Sequence, residues 1–265
     1  MEPRHENDAT QSRNETCVLL AGGAGRRLDR VTAGLNKHLL EINGRPALGY
    51  VIDAILATTS VERLVVVTRS DSLMSIEALL ERARERVDVV MRLQARPAGT
   101  LDAVVTAQSA INHDSFAVHY GDNLFAWRQL PPLRAALRND AVACLYTVHP
   151  PMDWRRYAAV TTVEDRDGES VVAGLKEKPV GGYDCGNFRS LTGFLRFDTQ
   201  AFLRASPRVR ISPRGELELT DALELMLKSG RVLAANVRLA WADFGTERGL
   251  RAAPGVIAAR GLAPA

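Results

Sequence analysis

From residue 16 to residue 120 the chain alternates short apolar runs with stretches whose apolar positions recur every three to four residues. Residues 16–21 (TCVLLA) form a compact apolar run ending in glycines, which predicts a buried strand. Pro46 opens a helix in which Leu48, Val51, Ile52, Ile55 and Leu56 fall on one face. A second strand is predicted over 64–68, and Leu73, Ile76, Leu80 and Ala83 mark another amphipathic helix. Residues 87–93 predict a third strand, 100–110 a helix and 116–120 a fourth strand. Strand and helix in this rhythm imply βαβ units: an α/β fold with a mainly parallel sheet and helices on both faces.

Past residue 140 the rhythm changes. Strands are predicted over 142–148, 157–163, 171–176 and 191–197, separated mostly by loops. One long helix over 216–229 interrupts them, with Leu219, Leu223, Met226 and Leu227 as its buried stripe and Gly230 as its stop. A strand over 232–240 follows. No Ser/Gly/Pro linker and no internal repeat divides the chain, so a single domain is expected over 15–250. Its parts are 15–140 and a more β-rich 141–250, between a flexible polar tail (1–14) and a C-terminal tail (251–265).

Composition narrows the class. The 265 residues suffice to bury a core without disulfides or structural metal. Hydrophobic residues at 46% and charged residues at 25% exclude a largely disordered chain, a collagen and a coiled-coil rod. No apolar run approaches the length of a membrane span, and the polar N-terminus lacks the apolar centre of a secretory signal, so a cytoplasmic protein with no membrane partner is expected. A net charge of +3, with dispersed arginines, gives no basic stripe for nucleic acid. Cys17 and Cys144 lie in apolar runs and Cys185 in a Gly-rich loop, a set that fits neither zinc spacing nor a disulfide framework.

The most informative stretch is LLAGGAGRRL, residues 19–28, at the end of the first predicted strand. Ligands of open α/β sheets bind outside the carboxyl ends of the strands. Gly22, Gly23 and Gly25 let backbone amides approach an anion, and Arg27 adds a planar cationic fork suited to phosphate. A Walker A loop is excluded because Arg26 follows Gly25 where Lys is required. A dinucleotide fingerprint is excluded because Leu28 replaces its third glycine and the next strand ends in Thr68, not an acid. A plain tight turn with an exposed arginine would explain the stretch alone. Lys37, ten residues after Arg27, is better explained as folding back on the same anion.

With these residues the chain resembles the sugar-1-phosphate nucleotidyltransferases, most closely the glucose-1-phosphate thymidylyltransferase branch. The family signature LAGGxGTRL followed by PKxLLPV reads LAGGAGRRL and NKHLLEI here, with Arg26 for Thr and Glu41 for Pro. The resemblance continues from Gln94 through Thr100, through Gly121-Asp122-Asn123, Arg156-Tyr157, Glu177-Lys178-Pro179, Leu191-Thr192-Gly193 and Arg214–Glu218 to the segment from Trp241 to Thr246. It implies a Rossmann-like sheet with a sugar-binding second half. The residues after Thr246 are too few for the β-helix appended in several relatives, so no C-terminal β-helix is expected.

The reaction implied is attack of a sugar 1-phosphate on the α-phosphorus of a nucleoside triphosphate, with release of pyrophosphate. The resemblance assigns Arg27, Lys37, Asp122 and Asp243 to catalysis, the two aspartates as ligands of Mg²⁺. Leu20, Ala21, Gly22, Gly23, Gly25 and Arg27 with Gln94, Pro97, Gly99 and Thr100 would hold the nucleotide. Asn123, Tyr157, Ala158, Glu177, Lys178, Thr192 and Arg214 would hold the sugar phosphate. Gln94 favours a thymine or uracil without requiring one, because its amide can flip to suit other bases. Ala158 replaces a family glycine, and Arg189-Ser190 stand where smaller or apolar residues are common, so glucose is the default sugar only. CTP or GTP with a non-glucose acceptor such as a cyclitol phosphate, or a non-catalytic regulatory protein, are the competing readings. Relatives commonly assemble as homo-oligomers, which is the expectation here.

Overall fold

The computed structural model describes residues 15–23, 28, 36–58, 60–126, 141–148, 156–179, 189–236 and 240–259. Strand β1 (Glu15–Leu20) is buried throughout. Cys17 and Leu19 join one apolar cluster, Val18 and Leu20 a second, so side chains alternate between two covered faces. A hairpin of β2 (Glu41–Ile42) and β3 (Arg45–Pro46) follows. It turns at Asn43-Gly44, whose φ angles of 53° and 75° fit the Asn-Gly hairpin turn. Helix α1 (Ala47–Leu56) starts directly after Pro46. Then come β4 (Val61–Thr68), α2 (Leu73–Ala78), α3 (Glu81–Arg84), β5 (Asp88–Leu93), α4 (Thr100–Ala107) and β6 (Ser115–Tyr120). The four long strands lie in the order β5-β4-β1-β6 and all pair in parallel.

The second half adds β7 (Asn123–Phe125), β8 (Ala141–Val148), β9 (Ala159–Glu164), β10 (Ser170–Lys176) and β11 (Arg189–Asp198). Helices α5 (Thr199–Ala205) and α6 (Leu219–Ser229), strands β12 (Arg231–Asn236) and β13 (Trp241–Asp243), and helix α7 (Glu247–Ala259) complete it. Strand β11 lies antiparallel to β6 and continues the sheet as β11-β8-β12-β10-β9, nine strands in all. Strand β9 also pairs with Arg189 and Ser190 of β11, so this half curls back on itself. One apolar cluster packs α1, Ile76, Leu80, Ala83 and α7 on one face. The other packs α4, α5 and α6 on the opposite face. The α/β, Rossmann-like architecture expected from the sequence is present. No helix among the described residues is long and apolar enough to cross a membrane.

The details differ from the sequence pattern in five places. The helix expected through Leu73–Ala83 is two short helices broken at Leu79-Leu80. The helix expected from 216 begins at Leu219, and the strand expected from 157 begins at Ala159. Helix α5 was not anticipated. Residues 251–259, expected within a tail, continue α7, because Ala253, Val256 and Ile257 give it a buried face. The tail at 1–14, Cys185 and residues 237–239 of the strand expected to 240 lie outside the described residues.

Candidate active site

The carboxyl ends of β1, β5 and β6 open into a cleft of about 580 Å³. Seventeen residues singled out in the sequence line it: Leu20, Gly22, Gly23, Lys37, Gln94, Pro97, Gly99, Thr100, Asp122, Asn123, Tyr157, Ala158, Glu177, Lys178, Thr192, Arg214 and Asp243. Gly25 and Arg27 lie outside the described residues. Ala21 is buried beneath the cleft and does not line it. Its N–H donates to Val67 O at 2.8 Å, and its carbonyl accepts from Asn36 Nδ2 at 3.0 Å, which ties the loop to the turn carrying Lys37.

Lys37 stands on a single 3-10 turn, Lys37–Leu39, capped by Asn36, whose Oδ1 accepts from His38 N at 3.0 Å. The turn is fixed a second time by the His38 ring, with Nδ1 donating to Asn36 Oδ1 at 2.6 Å. Lys37 Nζ donates to Asp122 Oδ2. Asp122 follows β6 through Gly121, whose N–H donates to Leu20 O at 2.9 Å and holds the ends of β6 and β1 together.

Asp122 and Asp243 meet through a small two-stranded sheet. Strand β13 pairs antiparallel with β7, with Asp243 opposite Asn123, and Phe244 N donates to Asp122 O at 2.9 Å. Asp243 Oδ1 accepts from Gly245 N at 2.8 Å. A Cβ on Gly245 would stand 2.8 Å from Asp122 Oδ2, 2.8 Å from Asp243 Oδ1 and 3.1 Å from Lys37 Nζ, so all three groups face one point that only a glycine leaves open. Burial is the largest single influence on Asp122 and would raise its pKa, but the Lys37 charge together with the hydrogen bonds from Lys37 and Asn123 outweighs it, and the carboxyl lies well below the usual carboxylate range. His38 is also on the cleft. Burial, and then the Lys37 charge, lowers its pKa from 6.5 to about 3, so its ring is neutral.

Across the cleft, Glu177 and Arg214 stand together. Glu177 Oε1 accepts from Lys178 Nζ at 2.9 Å and from Arg214 Nη2 at 3.3 Å, while Oε2 accepts from Thr220 Oγ1 at 3.1 Å. Arg214 Nη2 also donates to Glu218 Oε1 at 2.7 Å. Lys178 has a φ of 41°, the left-handed region that non-glycine residues enter mainly where neighbouring structure holds them. Tyr157 and Trp241 form an aromatic wall, edge to face at 5.2 Å.

Two residues do something other than the sequence pattern suggested. Asn123 was expected on the sugar phosphate, yet its amide is engaged within the protein. Nδ2 donates to Asp122 Oδ1 at 2.7 Å, and Oδ1 accepts from Trp241 Nε1 at 2.7 Å. Gly99 was expected to admit a base. Its φ of 115° requires glycine, and the backbone that approaches it is Leu217, whose O would stand 2.3 Å from a Cβ. His38, Gly245, Glu218 and Thr220 were not singled out as site residues. His38, Glu218 and Gly245 lie within the motifs and Thr220 just after one, but only the fold shows that they face the cleft.

The oxygen-only pair Asp122 and Asp243 suits a divalent cation that takes its remaining ligands from phosphates and water. Among the described residues, no group of three or more His, Cys, Asp or Glu side chains forms a closed metal cage. The fold and this arrangement define a site for transfer at phosphorus, on an α/β scaffold open at its strand ends. The chain belongs to the nucleotidyl transferase family, whose sequence model matches residues 16–258. A glucose-1-phosphate thymidylyltransferase from Neisseria meningitidis is 26% identical over 242 residues, 89% of this chain and 80% of that protein. A UTP–glucose-1-phosphate uridylyltransferase from Haloferax volcanii is 29% identical over 221 residues, 82% of this chain and 86% of that protein. Among solved structures, a candidate glucose-1-phosphate thymidylyltransferase from Bacillus anthracis, in complex with sucrose, superposes with a TM-score of 0.78 at 24% identity, covering 94% of this chain and 97% of that one.

Proposed function

We propose that this nucleotidyltransferase transfers a nucleoside monophosphate from dTTP or UTP to a sugar 1-phosphate, with glucose 1-phosphate as the default acceptor, and releases pyrophosphate. The relatives named for thymidylyl and uridylyl transfer to glucose 1-phosphate support both choices. The observation that carries the reading is the convergence of Lys37 Nζ and the Asp122 and Asp243 carboxylates on one point, between the glycine loop and the Glu177–Arg214 cluster.

Both substrates are polyanions. Two unit charges 4 Å apart repel by about 4 kcal/mol at an effective dielectric near 20. The site must therefore supply positive charge and hold an in-line geometry. Lys37 reaches both places that need it, since its Nζ on Asp122 also lies 3.3 Å from where a Gly23 Cβ would be. On the sequence pattern, Arg27 holds the departing diphosphate. Lys178 and Arg214 receive the acceptor phosphate once they exchange Glu177 and Glu218 for it, and freed Glu177 oxygens accept from sugar hydroxyls. Asp122 and Asp243 hold Mg²⁺, which when bound supplies Lewis-acid charge neutralisation at the phosphates. Ala158, buried on the cleft wall beside Tyr157, narrows the sugar pocket relative to a glycine.

The test is pyrophosphate release across a matrix of nucleoside triphosphates and sugar phosphates, cyclitol phosphate included, for the wild type and Asp243→Asn. The wild type should turn over dTTP or UTP with glucose 1-phosphate. Asp243→Asn should lose about a hundredfold or more in kcat while its circular dichroism persists and its nucleotide affinity falls no further than that of the wild type without Mg²⁺. Turnover near the wild-type rate in that variant would remove the mechanism, and binding without turnover by the wild type across the matrix would make the protein a regulator.

A further inference from the structure

We infer that Asp102 is a positioning residue that turns Gln94 into an acceptor-only reader of the base, and so sets the choice of uracil or thymine over cytosine. The inference rests on the nucleotide donor proposed above, with the base against Gly22 and Gln94.

Gln94 is buried at the floor of the cleft. Its Nε2 lies 2.7 Å from Asp102 Oδ2 and 3.1 Å from the Gly99 carbonyl oxygen. Both partners are oxygens that accept and do not donate. An amide oxygen in that place would face two sets of lone pairs, so the neighbours force the nitrogen there and the orientation follows from them. Both N–H bonds of Nε2 are thereby used. Oε1 is turned to the glycine loop, 3.3 Å from where a Gly22 Cβ would stand, and no hydrogen bond reaches it among the described residues.

A free glutamine can flip to suit a donor or an acceptor on a base, which is why the residue type alone does not select one. Held by Asp102, Gln94 offers a single acceptor. The N3 position of uracil and thymine carries a hydrogen and satisfies it. The same position of cytosine carries a lone pair and the two acceptors repel, so cytosine can satisfy Oε1 only by shifting to present its 4-amino group, out of the place a uracil or thymine takes. Asp102 lies in the first turn of α4, outside every motif that carries the family resemblance.

The experiment compares kcat/KM for UTP, dTTP and CTP, with glucose 1-phosphate and Mg²⁺, in the wild type, Asp102→Ala and Asp102→Asn. The ratio between donors is the readout, so a loss from a weakened helix start cancels. The wild type should favour UTP or dTTP over CTP by at least about tenfold, and Asp102→Ala should reduce that ratio about tenfold, the scale of one unsatisfied buried group. Asp102→Asn keeps an acceptor for Nε2 and should hold the ratio within about threefold of wild type. An unchanged ratio in Asp102→Ala, or a wild type that prefers CTP, overturns the inference. If the wild type turns over no donor, the proposed function fails on its own. Calorimetric affinities of UTP and CTP for the same three proteins then carry the same test, with the same ratios expected.

Discussion

His38 shows how a site residue can be invisible in sequence and still govern behaviour. One histidine in an apolar loop carries no signal. In the fold its ring is buried, bonded to Asn36 and turned toward Gly121, and its pKa is lowered to about 3. In the unfolded chain it titrates near 6.5, so between those values the unfolded state binds the extra proton. Stability therefore rises with pH through that window and is lost as pH falls. His38 should make the protein about 2 kcal/mol less stable at pH 5 than at pH 7. His38→Gln should remove most of that slope in urea unfolding at the two pH values, and an unaltered slope would show that the ring protonates freely in the fold. Lys37, Asp122, Asp243 and Gln94 were legible because each sits in a short motif at the end of a strand or in a loop. Asn123 was legible as a site residue but not in its role, and the other partners that aim them, His38 and Asp102, were not legible, since these roles depend on contacts between residues far apart or on rotamers that no spacing encodes.

At the scale of elements, long strands were legible because burial on both faces leaves unbroken apolar runs, as in β1 and β4. Short pieces were not. Strands β7 and β13 have three residues each, too few for any period to show, yet their pairing brings Asp122 and Asp243 together. Helix α7 was hidden by Pro254 inside it and by Gly249 and Gly255, all poor helix formers, and tertiary burial of Ala253, Val256 and Ile257 overrides them. The segment from Gln94 to Thr100 was legible as a base reader but not as a packed element. Leu217 N donates to Ala98 O and Leu101 N to Leu217 O, both near 2.8–2.9 Å, which clamps the base segment to the extended stretch leading into α6. Gly99 makes the clamp possible. Gly99→Ala should lower the unfolding free energy by about 2–4 kcal/mol, because the left-handed backbone and the Leu217 carbonyl both oppose a Cβ. It should also raise KM for the nucleotide more than it lowers kcat. Wild-type stability and KM in that variant would mean that Leu217 and the loop move apart without cost.

The whole molecule carries a net charge of only +3, too little to draw polyanionic substrates by its overall field. Among the described residues, its cleft does not make up the difference. Among the described residues that line it, four are basic (Lys37, Arg156, Lys178 and Arg214) and five acidic (Asp122, Glu177, Glu216, Glu218 and Asp243). Lys37 is already held by Asp122, and Arg214 by Glu218 and Glu177. Beyond the Arg27 proposed for its diphosphate, a nucleoside triphosphate entering alone would meet Lys37 and Arg214 already paired with carboxylates, and a divalent cation entering alone would have to displace the Lys37 ammonium. Entering together, each removes the other's obstacle: the phosphates give Lys37 a new partner, and the cation takes the two carboxylates. Binding of metal and nucleotide should therefore be strongly coupled. Calorimetry should show UTP or dTTP binding at least about tenfold more tightly with Mg²⁺ than with EDTA, and by linkage Mg²⁺ binding tightened by the same factor when nucleotide is present. Lys37→Met should bind Mg²⁺ alone more tightly than the wild type does, because a fixed positive charge is gone from Asp122, while its turnover falls. Equal nucleotide affinity in EDTA and Mg²⁺, together with no gain of metal affinity in Lys37→Met, would show that the carboxylates and the lysine do not exchange partners when substrate enters.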